Sequence, residues 1–286
     1  MAGTQNPTAR RRELGVLLRA LRSERGWTVE YVAEQLLCSP SKVSRMETGH
    51  RGASARDIRD LCDLYGVGDE HRQLLMTLAR EGKQRAWWQP LNLPYSTYVG
   101  LEAEAASIGD YGLNVMPGLL QTAQYARAVV QAVEPRWVPE VVEQRVNGRI
   151  ARQKILTSER PPQFRAVIDE AVLRRVVGSP AIMHEQLVKL LEVSEHPNVS
   201  VRAIPFAAGA VPAGNKFIIL TFARPTIPDV VFLEGVTGDL YLENAEDVEA
   251  YNATFWSLGQ LAATTDQTRE MITSLITLYG SQGGHG

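Results

Sequence analysis

Between Ser39 and Arg51 the chain reads SPSKVSRMETGHR, and its polar residues recur at helical spacing. Val43 and Met46, three apart, share one face, while Ser41, Lys42, Ser44, Arg45 and Thr48 fall on the other. Hydroxyls, an ammonium and a guanidinium displayed together on one helix can hydrogen-bond base edges and neutralise phosphates. Arg51, just past the helix, suits a further phosphate contact. Ser39 is a good N-cap, and Pro40 fits the first helical position, where a missing N–H costs nothing. A capping box would put Glu or Gln at the third helical position, but Lys42 stands there. A cation at a helix N-terminus opposes the macrodipole, a small cost that makes sense if that end faces an anion.

Constellations for catalysis are missing from the sequence. There is no G-x-S-x-G, no phosphate-cradling G-x-x-x-x-G-K-S/T, no H-E-x-x-H and no cysteine cluster fit for zinc. His50, His71, His184 and His196 are scattered, and His184-Glu185 reads as a solvated pair on a helix. Glu102 and Glu104 sit two apart on an expected helix and so diverge, while Asp169-Glu170 suits a helix N-terminus. The chain is therefore read as not an enzyme, with no catalytic residues, no metal and no cofactor.

The elements that must position the polar face surround it. Residues 9–25 carry Leu14, Leu17, Leu18 and Leu21 as one apolar stripe, with Arg10, Arg11, Arg12, Arg19, Arg22 and Arg25 around it. The arginine triplet reads either as a solvated helix start or as a phosphate clamp. Thr28–Leu36 forms a short helix with Val32, Ala33 and Leu36 inward, then a tight turn into the polar helix. Ser54 opens a fourth helix (Ile58, Leu61, Cys62, Tyr65 inward) and Asp69 a fifth (Leu74, Leu75, Leu78). Cys38 and Cys62 have apolar neighbours and read as small core residues in a reducing compartment, a redox switch being the alternative.

This run resembles the DNA-binding domain of phage-repressor-like (Xre-type) helix-turn-helix regulators, with Ala33 in the first helix of the motif, Ser39 opening the second and Glu47-Thr48-Gly49 closing it. The resemblance implies that the second helix lies in the major groove. By position it places Pro40, Ser41, Lys42 and Arg45 at base-edge and nearby phosphate contacts, and turns Glu47 inward to pair with Arg22. Two positions depart from the pattern. The usual turn Gly is Leu37, which implies a strained left-handed residue or a different turn, and the usual phosphate-contacting Gln is Val29.

Along the rest of the chain, Trp87-Trp88 and QPLNLPYST mark a boundary. The expected organisation is an all-α domain over 9–84, a linker over 85–97, a second domain over 98–280 and a disordered tail over 281–286. In the second domain YVGLEAEAASI reads as a helix, and a helix from about Pro139 to Leu156 is expected to bend or weaken at Asn147-Gly148. FRAVID, VSVRAIPF, KFIILTFA, DVVFLEGV and DLYLEN read as strands, closed by helices over 245–263 and 265–279. The expectation is an α+β domain with a mainly antiparallel sheet. Tyr111, Tyr125, Trp137, Phe206, Phe217, Phe222, Phe232, Tyr241, Phe255 and Trp256 could line a ligand pocket, though aromatics at such spacing are usually core.

A second resemblance covers residues 10 to 280. LEAEA, PGLLQTAQYAR, RIARQKIL, DEAVLRRVVG, IPF before Gly209 and F-x-x-L-x-F are similar to a family of actinomycete regulators. There a phage-repressor-like domain is fused to a C-terminal domain long labelled as of unknown function. The resemblance implies an antitoxin-like transcriptional regulator working with a small protein encoded beside it.

Composition fits these expectations. Residues 1–85 hold fifteen Lys/Arg against eleven Asp/Glu, whereas the remainder holds fifteen against twenty-one, an asymmetry that suits a DNA reader on an acidic body. No apolar run approaches the roughly 18 residues of a membrane span, and MAGTQNPTARRR lacks the apolar core of a signal peptide. The expected partners are double-stranded operator DNA, a second copy as homodimer and a small co-encoded protein, with no membrane. The competing expectation is a one-component repressor whose second domain senses a small molecule.

Overall fold

A computed structural model describes residues 6–91, 93, 95–133, 136 and 138–282. The chain divides into two compact units, one running to Glu104 and including Phe222–Pro228, the other made of Ala105–Thr221 and the residues from Asp229 onward. Residues 85–97, expected as a linker, and the first residues of the expected second domain therefore group with the N-terminal unit.

The first unit holds α1 (Pro7–Glu24), α2 (Val29–Gln35), α3 (Pro40–Glu47), α4 (Ala55–Tyr65), α5 (Asp69–Glu81) and α6 (Ser96–Glu102). Each start has a local reason. Asn6, Thr28, Ser39 and Ser54 accept hydrogen bonds from the first turns of α1 to α4, and Ser54 with Asp57 completes a capping box. The expected stripes meet in one core of Leu14, Leu18, Val32, Val43, Met46, Ile58, Leu61, Cys62, Tyr65, Leu75 and Leu78, except that Leu74, expected inward, is 44% exposed. Cys62 is fully buried there and Cys38 half-buried, and both are free thiols. Trp27 packs beside Tyr65 and Tyr31 at the base of this core. Within this unit Glu13 receives Arg224 at 3.2 Å and the Thr226 hydroxyl at 3.1 Å.

The second unit is α+β, but its sheet is mixed rather than mainly antiparallel. Its six strands, β1 (Ser107–Gly112), β2 (Gln163–Asp169), β3 (Val199–Ile204), β4 (Phe217–Thr221), β5 (Val230–Leu233) and β6 (Leu240–Leu242), lie in the order β3-β2-β1-β4-β5-β6. β1–β2 and β2–β3 are parallel; β1–β4, β4–β5 and β5–β6 are antiparallel. The difference traces to β1. Ser107 and Ile108, the end of the segment expected as helix, instead begin SIGDYG, a strand paired on both sides.

With β1 in place, α7 (Ala123–Val133) and α8 (Pro139–Arg152) form the crossover to β2. Then α9 (Glu170–Arg174) and α10 (Pro180–Val193) form the crossover to β3, and helical crossovers demand parallel strands. Gly109 on β1 packs tightly: a Cβ there would lie 3.2 Å from the Phe255 ring, which would have to shift by a few tenths of an ångström.

Two further expectations are corrected. α8 runs unbroken through Asn147-Gly148, with Gly148 buried, because Val142 and Val146 pack with Ala126 and Val130 of α7 and outweigh the poor local propensity. α11 (Ala245–Leu261) and α12 (Thr265–Gln282) close the unit, so Ser281 and Gln282 are helical; the rest of the expected tail lies outside the described residues. Among the described residues no helix is long and apolar enough to cross a membrane.

The turn between α2 and α3 carries the expected strain. Leu37 has φ 49° and is 95% exposed, so it occupies the left-handed region with no burial in return. An L-residue in that region loses about 1–2 kcal/mol, partly offset in a Gly substitution by extra unfolded-state entropy of about 0.4–1 kcal/mol. Leu37→Gly is therefore expected to raise the melting midpoint of the N-terminal unit in calorimetry.

Candidate nucleic-acid interface

α3 is fixed from its inner side. Val43, Met46 and Glu47 are buried, while Pro40, Ser41, Ser44, Arg45 and Thr48 are exposed. The Glu47 carboxylate, 5% exposed, takes a two-point contact from Arg22 of α1: Nε to Oε1 at 2.7 Å and Nη2 to Oε2 at 2.8 Å. Arg22 Nη1 also donates to the Trp27 carbonyl at 2.7 Å, which fixes the guanidinium plane. The Glu47 carboxylate raises the Arg22 pKa still further, so the charge is permanent. Gly15 lets the two helices meet, since a Cβ there would run into the Glu47 carbonyl oxygen. Sequence reasoning passed over Gly15; a lone Gly inside an apolar helical stripe is the signal that could have found it.

The outward face is partly pre-arranged. Arg45 Nε donates to the Ser41 carbonyl at 3.1 Å, which leaves its two terminal amino groups for a ligand. Thr48 donates to the Ser44 carbonyl at 2.9 Å, and its hydroxyl lies 2.9 Å from His50 Nδ1. The loop after α3 is held by the Arg51 N–H on the Arg45 carbonyl at 2.9 Å, which sets exposed Arg51 beside the helix end. Ser39, the expected cap, accepts the Lys42 N–H at 3.2 Å.

Other cations are engaged within the protein. Lys42 Nζ contacts Asp57 Oδ1 at 2.5 Å and is only partly exposed. This pair compensates the misplaced cation at the start of α3 and ties α3 to the capping box of α4, where Asp57 Oδ2 also accepts the Ser54 N–H at 2.8 Å. Of the arginine triplet, Arg10 pairs with Glu13 at 2.7 Å, and Arg11 donates to the Pro7 carbonyl at 3.2 Å and has its pKa lowered by burial. Arg12 is 3% exposed. The triplet is structural, which removes it as a phosphate clamp. Exposed cations that the sequence did not single out are Arg56 and Arg59 on α4; Arg19 on α1 is likewise open to solvent.

In the second unit the aromatics suggested for a pocket mostly form core. Tyr111, Tyr125, Phe217 and Phe232 are buried, as is Phe222 in the first unit, while Tyr241 and Phe255 are half-buried. Phe206 and Trp256 are exposed, and Trp137 lies outside the described residues. Among the described residues no group of three or more His, Cys, Asp or Glu is arranged to hold a metal.

Burial alone would push the Asp57 carboxyl up, but Lys42 and Ser54 outweigh it and hold the pKa below the usual value. A depressed carboxylate contributes stability at neutral pH that is lost as pH falls through its folded pKa. Asp57→Asn should therefore cost about 1 kcal/mol at pH 7, the typical worth of a helix-cap contact. Denaturant titrations at pH 7 and pH 3 should show the gap to the native sequence closing in acid.

Residues 13–75, which include α3, match a helix-turn-helix domain family, the mark of a DNA-binding regulator. No curated protein matches the chain. Residues 95–274 match a domain of unknown function (DUF5753), well over half of the chain. The chain belongs to the DUF5753 family, with a helix-turn-helix domain at its N-terminus.

Proposed function

We propose that the protein is a sequence-specific transcriptional regulator of the Xre type that binds operator DNA as a homodimer, each copy laying α3 in a major groove. The observation that carries this reading is the polarity of α3: a buried face locked by Arg22 and Glu47, and an exposed face of Ser41, Ser44, Arg45 and Thr48. Arg45 reads a base, most naturally guanine through O6 and N7, and Arg51 holds a phosphate. Lys42 acts chiefly through Asp57, setting the pitch of α3 and the approach of its N-terminus to the backbone. Two copies place their recognition helices about 10 base pairs apart.

The DUF5753 domain supplies dimerisation and binds a small co-encoded protein that alters operator affinity, in an antitoxin-like arrangement. The sequence resemblance and the acidic balance of that part of the chain support this division of labour. The protein acts in the cytoplasm, at the nucleoid, and carries out no catalytic step.

Fluorescence anisotropy on DNA from the protein's own promoter tests the DNA-binding half. Arg45→Ala should lose about 1–3 kcal/mol of preference for promoter over scrambled DNA. Arg51→Ala should weaken both and lower the salt slope by about 1, whereas Lys42→Ala should lower that slope by less. Full specific binding by Arg45→Ala would refute the docking of α3.

A further inference from the structure

The second unit contains an unusually one-sided stretch. From Asp229 to Thr268 there is no Lys, Arg or His, against eight carboxylates, and the chain as a whole has a net charge of only −2. This stretch contains β5, β6 and α11. Along α11 the residues Glu246, Glu249, Ala253, Trp256 and Gln260 recur at three- and four-residue spacing and are all exposed. The opposite face carries Val248, Tyr251, Phe255 and Leu258 into the core of the sheet.

One solvent-facing helix stripe is thus acidic at its N-terminal end and aromatic at its C-terminal end. Trp256 is 68% exposed and borders an open groove of about 450 Å³ lined with Val211, Pro212 and Leu261. Leu261 also borders a second groove, toward Met271 of α12. Among the described residues Glu246, Asp247 and Glu249 form no ion pair. A large aromatic side chain left in water beside an apolar groove is the kind of residue that anchors interfaces.

We propose that this face of α11 is the docking surface for the partner protein, and that the segment docked there is amphipathic and basic. Trp256 and the groove take its apolar side chains, and Glu246, Asp247 and Glu249 take its lysines or arginines. Charge selects this occupant. Nucleic acid is repelled by the face. A second copy brings the same face, which holds no cation to pair with these carboxylates. A basic segment gains from both halves of the stripe, and its association is faster at low salt.

This placement rests on the partner-controlled reading above, and the two can fail separately. The test uses the full-length chain and the small protein encoded beside it, with affinity read by calorimetry at 50 and 300 mM salt. The variants are Trp256→Ala and the double change Glu246→Lys with Glu249→Lys, all at exposed positions. The expected result is binding at least tenfold weaker for each variant, with the salt dependence reduced only in the charge-reversed one.

If the small protein binds both variants as it binds the native sequence, the surface lies elsewhere and the placement falls while partner control stands. If it fails to bind the native chain, both fall. If Trp256→Ala instead halves the native mass in sedimentation, the face is a contact between copies and the proposal is overturned.

Discussion

The buried carboxylate of Glu47 is the constraint on which the DNA-reading unit depends. An ionised group at 5% exposure is costly unless paired, and here one guanidinium satisfies it at two points while also holding the Trp27 carbonyl. The bridge joins the end of α3 to the last turn of α1 and to the loop that leads into α2. Removing one partner from such a pair typically costs about 3–5 kcal/mol because the other is left buried and unpaired. Its worth to the protein is geometric. With Glu47 pinned and Gly15 allowing close approach, the rotation of α3 about its own axis is set, and with it the direction in which Ser41, Ser44 and Arg45 point.

Charges elsewhere in the unit follow the same logic in reverse. Lys42 and the Arg10–Arg12 triplet look, as sequence, like material for binding phosphate. Asp57 lies fifteen residues from Lys42, and the core that buries Arg12 is tertiary, so neither constraint is visible along the chain. Arg45 differs because its nearest partner is a backbone carbonyl of its own helix, which orients the side chain without neutralising it. A count of cations along the chain therefore overstates how many are open to solvent: Arg45 and Arg51 are exposed, whereas Lys42 is only partly so and Arg12 is buried.

The small helices were legible because their signals are local. Ser39 before Pro40, Ser54 before a hydrophobic stripe and the 3.6-residue spacing of Val43 and Met46 act within a few residues, and all were realised. The left-handed residue at Leu37 was legible for the same reason. The pairing of Arg22 with Glu47 was implied by family resemblance and not by spacing. β1 was hidden: SIGDYG has poor strand propensity and becomes a strand because β2 and β4 pair with both its edges and Gly109 clears space for Phe255. Missing that strand hid the helical crossover from β1 to β2, and with it part of the parallel half of the sheet. Gly148 misled in the opposite direction, since packing between α7 and α8 overrides its propensity.

The two units thus expose different surfaces: a helix face of hydroxyls and arginine in one, an acidic and aromatic helix face in the other. The central claim is that the first of these is what meets DNA. Hydrogen exchange of the full-length chain, with and without its own promoter DNA, addresses this most directly. Protection should appear across Ser39–Arg51, with the buried amides of α4 and α5 little changed. Protection confined to other segments, with Ser39–Arg51 exchanging as in the free protein, would contradict the account.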